Sequence, residues 1–255
     1  MSPSAITVIT RDDIAASGAM TLPELLHLVP GMHVTMSSPF HVPVTARLDW
    51  NTENHDFLVL IDGREANLEL LGMAPWVLQP ISLQEIERIE VIRGPGSALY
   101  GANALAGVIT ITTTRPGREP TGWASLEGGN AGKFLTSAGA SASFGDWGVS
   151  ASCGGELSGT YQDPEYDAKS VWKTRALVEY RLGEKERFLL EGGFSGGAGE
   201  LATTVGRLYT EINMQTVRMA YESEALDAQL YWAHLPMRVE LNTPLKFGEV
   251  MLARF

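Results

Sequence analysis

The sequence predicts a small α+β domain followed by antiparallel β-strands that form part of a barrel. Three observations carry this. Up to about residue 118 apolar residues fall in mixed helical and strand patterns, but from Trp123 they alternate with polar ones at period two. Short and long links alternate between the strands of the second half. No apolar run approaches the roughly 18 to 20 residues that a membrane-crossing helix needs. The expected domains are residues 1–118 and 119–255.

In the first domain Thr10 or Asp12 caps a short helix that ends near Ser17, with Gly18 closing it. Leu22, Leu25, Leu26 and Val29 follow at helical spacing, with Thr21 as the cap and Pro30-Gly31 as the stop. The run 57–61 is continuously apolar and bounded by Asp62-Gly63, which suits a fully buried strand. Ile86, Ile89, Val91 and Ile92 suggest another.

In the second domain the period is two. Over 172–182 the even positions read Trp, Thr, Ala, Val, Tyr, Leu and the odd ones Lys, Arg, Leu, Glu, Arg. Segments 147–154, 187–195, 215–223 and 226–234 behave alike, each with one apolar and one polar face. Gly145-Asp146, 183–186 and Glu224-Ala225 are the short links; 157–171, 196–214 and 235–246 are the long ones. This is the pattern of a transmembrane barrel, with tight turns at one rim and long loops at the other. Trp123, Phe134, Phe144, Trp147, Trp172 and Tyr180 lie near strand ends, where interfacial girdles would place them. A soluble antiparallel sandwich could show similar alternation. Seven strands are well patterned, and 249–255 would make an eighth.

Several segments, in order, resemble the plug domain of TonB-dependent outer-membrane receptors. They are ITVITRDDIAASG (6–18), TLPELLHLVPGMHV (21–34), FLVLIDGR (57–64) and IERIEVIRGPGSALYGANALAGVITITTTRPG (86–117). In VTARLDW (44–50) Arg47 is present, but Leu48 stands where the family often has glycine. The resemblance implies a plug followed by the first 7–8 strands of a barrel of about 22. A barrel of about eight strands has room only for its own side chains. The strands must therefore be a fraction of a wider barrel, or be completed by another polypeptide. The opening MSPSAITV has neither a charged n-region nor an apolar h-region. That is expected of a mature or trimmed chain, or of one that starts downstream of the true start, and the segment that engages TonB would lie upstream.

Composition narrows the partners. Net charge is −11, with 7 Arg, no Lys and 13 acids in residues 1–120 and 12 basic against 17 acidic residues in the remainder. No basic block is present, so no nucleic-acid footprint is expected. The single Cys153 excludes an internal disulfide. The five histidines are scattered without HxxxH, HExxH or CxxC spacing, so no metal site or cofactor is expected. The glycine-rich 94–101 is neither GxGxxG nor a P-loop, and Ser97 is in no GxSxG elbow. A sharp packed turn is the better reading, and no enzymatic set of nucleophile, base and orienter is visible.

The resemblance implies a receptor that takes up a scarce nutrient such as a ferric siderophore or cobalamin, energised by TonB. Its partners would be TonB, the metal-chelate nutrient, outer-membrane lipid and the remaining barrel strands. Candidate ligand-binding residues are Trp50, Asn51 and Glu53 in one apical loop and Asn67 and Glu69 in another. Glu90 and Arg93 are candidates for ion pairs that lock the plug to the barrel wall; for Glu87 and Arg88 a solvated strand face is equally open. The alternative is a binding or assembly module that keeps a plug-like fold without transporting.

Overall fold

The computed structural model describes residues 5–36, 40, 42–46, 57–68, 72, 74–94, 100, 104, 106–130, 132–159, 169–203 and 206–241. The chain divides into two compact units. One comprises Met1–Val77 and Leu83–Thr114, the other Leu78–Ser82 and Arg115–Phe255.

The first unit is built on a five-stranded sheet. Its strands are β1 (Ala5–Thr10), β4 (Phe57–Ile61), β5 (Arg64–Glu65), β6 (Ile86–Arg93) and β7 (Gly107–Thr113), in the order β1-β6-β7-β4-β5. Only β4 and β7 run parallel. The apolar run of β4 is buried on both faces, as its lack of alternation predicts, with Phe57, Leu58, Val59 and Ile61 each at most 5% exposed. Ile89 and Val91 of β6 and Val108, Ile109 and Ile111 of β7 are fully enclosed. Strands β2 (Met32–Val34) and β3 (Val44–Ala46) form a separate antiparallel pair.

Thr10 supplies the first cap. Its hydroxyl accepts from the Asp13 N–H, and the Asp13 carboxylate accepts from the Thr10 N–H at 2.9 Å. The two bonds close a capping box over helix α1 (Arg11–Ser17). Gly18, at φ +67°, ends the helix. Thr21 departs from expectation: its side chain makes no cap bond to helix α2 (Leu22–Leu25), and the Glu24 carboxylate instead accepts from the Met20 N–H. The predicted Leu22, Leu25, Leu26 and Val29 are all buried, although a 3-10 turn at Leu26–Leu28 replaces the rest of the helix.

The Asp13 pKa is lowered, chiefly by the Thr10 hydroxyl and next by the Thr10 backbone N–H. A carboxylate depressed in this way stabilises the fold above its unfolded value of about 3.9 and loses that contribution as pH falls through the lower folded value. The stability difference between wild type and Asp13→Asn should therefore shrink as pH drops from about 5 to below about 3, as read by thermal unfolding.

Gly107 marks a close backbone approach at the start of β7. A Cβ there would lie 2.2 Å from the Ile92 carbonyl oxygen and 2.9 Å from the Phe57 ring. Gly107→Ala should cost about 1–3 kcal/mol of stability, visible as an earlier denaturation midpoint.

The second unit is an antiparallel sheet in the order β14-β13-β12-β11-β10-β9-β8, with β15 also on β13. Its strands are β8 (Thr121–Gly128), β9 (Phe134–Phe144), β10 (Trp147–Ser158), β11 (Lys169–Leu182), β12 (Glu186–Thr203), β13 (Gly206–Glu222), β14 (Asp227–His234) and β15 (Met237–Leu241). β14 and β15 keep one register on β13, from Glu222↔Asp227 to Leu208↔Leu241. They act as one strand interrupted at Pro236, which has no N–H for the ladder although its carbonyl accepts from Asn213.

The expected long link 196–214 is largely strand. The β12–β13 ladder continues to Thr203↔Gly206, because the small residues Gly196, Gly197 and Ala198 still offer their backbone to pairing. At 18 and 17 residues, these strands exceed the roughly 9–11 that cross a bilayer. Residues 249–255, the expected eighth strand, lie outside the described residues.

Candidate functional site

Period two divides the second unit's sheet into two chemically opposite faces. One is apolar. At its short-turn end Phe144, Trp147, Tyr180, Phe188 and Tyr221 stand directly opposite one another across five strands. Trp147 meets Tyr180 at a centroid distance of 4.7 Å, and Phe188 meets Tyr221 at 4.8 Å. Eight residues further along β11, about 27 Å of strand, Trp172 stacks on Phe194 at 4.5 Å. Between the two aromatic levels the face carries Thr174, Ala176 and Val178 on β11, Leu190 and Gly192 on β12, and Val217 and Met219 on β13. No charge stands among them. Its large side chains are open to the surroundings: Leu190 is 50% and Met219 54% exposed.

Trp123 does not join this band. It pairs with Gly139, where an added Cβ would lie 2.7 Å from the indole, and it shares a face with Ser125 and Glu127. Its place in the register puts it on the polar side, and the missing side chain at Gly139 makes room for the ring.

The opposite face carries a lattice of charges around a small apolar cluster of Leu177, Leu189 and Ala220. Arg175 donates to both oxygens of Glu191, each at 3.2 Å. The Arg218 guanidinium approaches Glu191 and Glu222, both at 3.7 Å. Glu222 also receives Arg115 and Arg187, each at 2.7 Å. Glu179 pairs with Arg181 and lies 3.7 Å from Arg115. Arg175, Glu179, Glu191 and Arg218 are each at most 5% exposed. Charges so far from water persist only when matched. Part of the signal was in the sequence: the odd positions of 172–182 and 187–191 put Arg175, Glu179, Arg181, Arg187 and Glu191 on one face, and the tight link at Gly183 fixes the register between them.

The five-residue segment Leu78–Ser82 sits on the same charged face. The Ser195 hydroxyl donates to the Leu78 carbonyl at 2.5 Å, and Lys173 Nζ donates to the Ile81 carbonyl at 3.4 Å. A Cβ at Gly193 would lie 2.6 Å from Pro80. Nothing in the sequence pointed to this segment.

Among the expected ligand-binding residues, Trp50, Asn51, Glu53 and Glu69 lie outside the described residues. Asn67 is described, and its amide is engaged by backbone. Its oxygen accepts from the Val59 N–H at 2.8 Å, and its nitrogen donates to the Phe57 and Gly72 carbonyls at 2.9 and 3.0 Å. That geometry makes Asn67 a brace that holds the loop after β5 against β4.

Glu90 and Arg93 have partners within the first unit. Arg88 donates to Glu90 at 2.9 Å and also pairs with Glu87; the Glu90 bond is the chief cause of a raised Arg88 pKa. Arg93 donates to the Pro30 carbonyl. The Asp62-Gly63 turn, equally prominent in the sequence, is a clasp. The Asp62 carboxylate accepts from the Thr113 N–H at 2.9 Å and from its hydroxyl at 2.7 Å, tying β4 to the end of β7. Among the described residues no group of three or more His, Cys, Asp or Glu is placed to hold a metal.

Residues 1–108 match the family model described as TonB-dependent Receptor Plug Domain. That match covers the first 108 of the 255 residues, so the first part of the chain is similar to a receptor plug. Solved structures extend the likeness through the strands. The chain superposes on the copper transporter OprC with a TM-score of 0.74 at 17% identity, over 92% of this chain and 38% of that one. The ferric-catecholate import receptor Fiu from E. coli K12 gives 0.72 at 18%, over 92% and 39%. The siderophore receptor PirA from Pseudomonas aeruginosa gives 0.69 at 19%, over 92% and 40%. At these identities the fold is what is shared: a plug domain followed by part of a receptor barrel. The chain spans about two-fifths of the length of these structures.

Proposed function

We propose that this chain is the plug and first barrel strands of an outer-membrane receptor that imports a scarce metal-chelate nutrient with energy delivered through TonB. One observation carries the reading beyond the family match: the charge-free band between two aromatic levels, backed by a face dense in paired charges. A soluble sandwich puts its apolar face inside and its polar face in water. Here the apolar side chains are exposed and the charges are buried, which is the arrangement a membrane barrel needs. In this reading the band meets lipid, and the charged face looks into the barrel lumen. The names of the similar structures, a copper transporter and receptors for siderophores and ferric catecholates, support a metal or metal chelate as cargo.

The test uses the full-length protein in its own cells. It should fractionate with the outer membrane. A strain lacking it should lose uptake of radiolabelled ferric catecholate or of copper, and collapsing the proton gradient should abolish that uptake in wild type. A protein recovered soluble and monodisperse without detergent would overturn the reading in favour of a non-transporting module.

A further inference from the structure

Two stretches of chain adjoining the first unit are held on the charged face of the strands, and they differ in whether the stretch itself carries a charge. Residues 115–117 are held by charge together with neutral contacts: the Ser143 hydroxyl donates to the Gly117 carbonyl at 2.6 Å, and Pro116 lies against Gly148, where an added Cβ would be 3.0 Å from it. Arg115 pairs with Glu222, and Arg181 donates to the Pro116 carbonyl at 2.7 Å. Leu78–Ser82 contains no charged side chain. Its Leu78 carbonyl accepts from the neutral Ser195 hydroxyl at 2.5 Å, its Ile81 carbonyl accepts a longer bond from the Lys173 ammonium at 3.4 Å, and Pro80 occupies the gap left by the absent side chain of Gly193. Ser82 lies beside Gly154, where an added Cβ would be 3.6 Å from its hydroxyl. Leu78, Gln79 and Ile81 are each at most 4% exposed.

We propose that Leu78–Ser82 is a neutral seat. It fastens this excursion of chain to the strands of its own unit through backbone carbonyls and glycine gaps, and it holds independently of the surrounding ion pairs. Gly193 and Ser195 are its positioning residues. Gly193 admits the Pro80 ring, since any Cβ would also lie 2.6 Å from the Thr216 hydroxyl and could not swing aside. Ser195 is 0% exposed, so while the seat is closed the Leu78 carbonyl, and not water, takes its hydroxyl. This differs from the charged lock expected at Glu90 and Arg93, whose contacts lie within the first unit. The inference rests on the plug-and-barrel reading only for its use in transport; the seat itself is tested without substrate or TonB.

The experiment uses the full-length protein in detergent micelles, with Cys153→Ala removing the native thiol and Ile81→Cys placing one in the seat. A neutral maleimide labels that thiol only when the seat opens, so the rate reports the open fraction. Labelling should stay within about twofold in 1 M NaCl, where screening acts beyond about 3 Å. It should do the same in Arg115→Gln. Gly193→Val should speed it at least about tenfold. Ser195→Ala, which removes only a hydroxyl and keeps the proposal testable if Gly193→Val fails to fold, should speed it about threefold or more. Acceleration by salt or by Arg115→Gln as large as that from the seat variants would overturn the proposal, as would unchanged labelling in Ser195→Ala. A failed uptake assay leaves this result untouched, and a failed seat leaves the uptake reading untouched.

Discussion

Glu191→Ala should destabilise the strand unit by about 3–5 kcal/mol, among the largest effects a single substitution in it can have. The carboxylate is shared. It takes both donors of Arg175 at 3.2 Å and faces the Arg218 guanidinium at 3.7 Å, and all three side chains are buried. Removing it leaves two cations side by side with half their partners gone, and Glu222 alone cannot balance Arg218 while it also holds Arg115 and Arg187. Glu191→Gln keeps the shape and one acceptor, so it should cost less. The informative control is the triple replacement Arg175→Met, Glu191→Met and Arg218→Met. Buried ion clusters exchanged whole for apolar residues are often neutral, so this variant should recover most of the loss. Thermal unfolding of the full-length protein in detergent measures all three. A Glu191→Ala midpoint indistinguishable from wild type would mean that water reaches the lattice and that the face is not enclosed in the assembled protein.

The same lattice shows how far the sequence could be read. Strand alternation alone assigned Arg175, Glu179 and Arg181 to one face and Trp172, Val178 and Tyr180 to the other, because a side-chain period of two leaves no freedom once one face is fixed. In the first unit the unbroken apolar run 57–61 gave a buried interior strand, and Thr10 was one of the two caps offered for the first helix, whereas the reciprocal bond from Asp13 emerged only in the structure. The misses share a cause. Thr21 was judged from a local rule, while its helix is only Leu22–Leu25 and the Glu24 carboxylate reaches back to the Met20 N–H. Trp123 was judged from its nearness to a strand end, but its face is set by the pairing with Gly139. Asn67 is not one of these misses: the fold adds only that its amide bonds three backbone groups. The seat at Leu78–Ser82 is held by carbonyls and by missing side chains, which leave no pattern in a sequence.

Val217→Arg separates a lipid-facing band from a wetted one. Val217 lies on β13 four residues from Tyr221, in the lower aromatic row, and four from Asn213, whose partner Gly196 pairs with Trp172. It is therefore midway between the two aromatic levels, and it is 41% exposed. If that face meets hydrocarbon, an arginine there should cost about 2–4 kcal/mol of folding free energy in the membrane. If it meets water, the change should stay within about 0.5 kcal/mol, as for other surface substitutions. The next residue sharpens the contrast. Arg218 is already an arginine at the same height, buried on the opposite face and matched by Glu191 and Glu222. One step along the chain thus turns an arginine from a matched charge into an unmatched one, and only a sheet with lipid on one side and enclosed charges on the other makes that true. Refolding of the full-length protein into phospholipid vesicles over a urea series gives the free energy. Glu184→Arg, in the exposed link between β11 and β12, serves as the control and should change little. Equal, small effects at both positions would remove the membrane from the reading, because an unpaired arginine in the middle of a hydrocarbon band has nowhere inexpensive to put its charge.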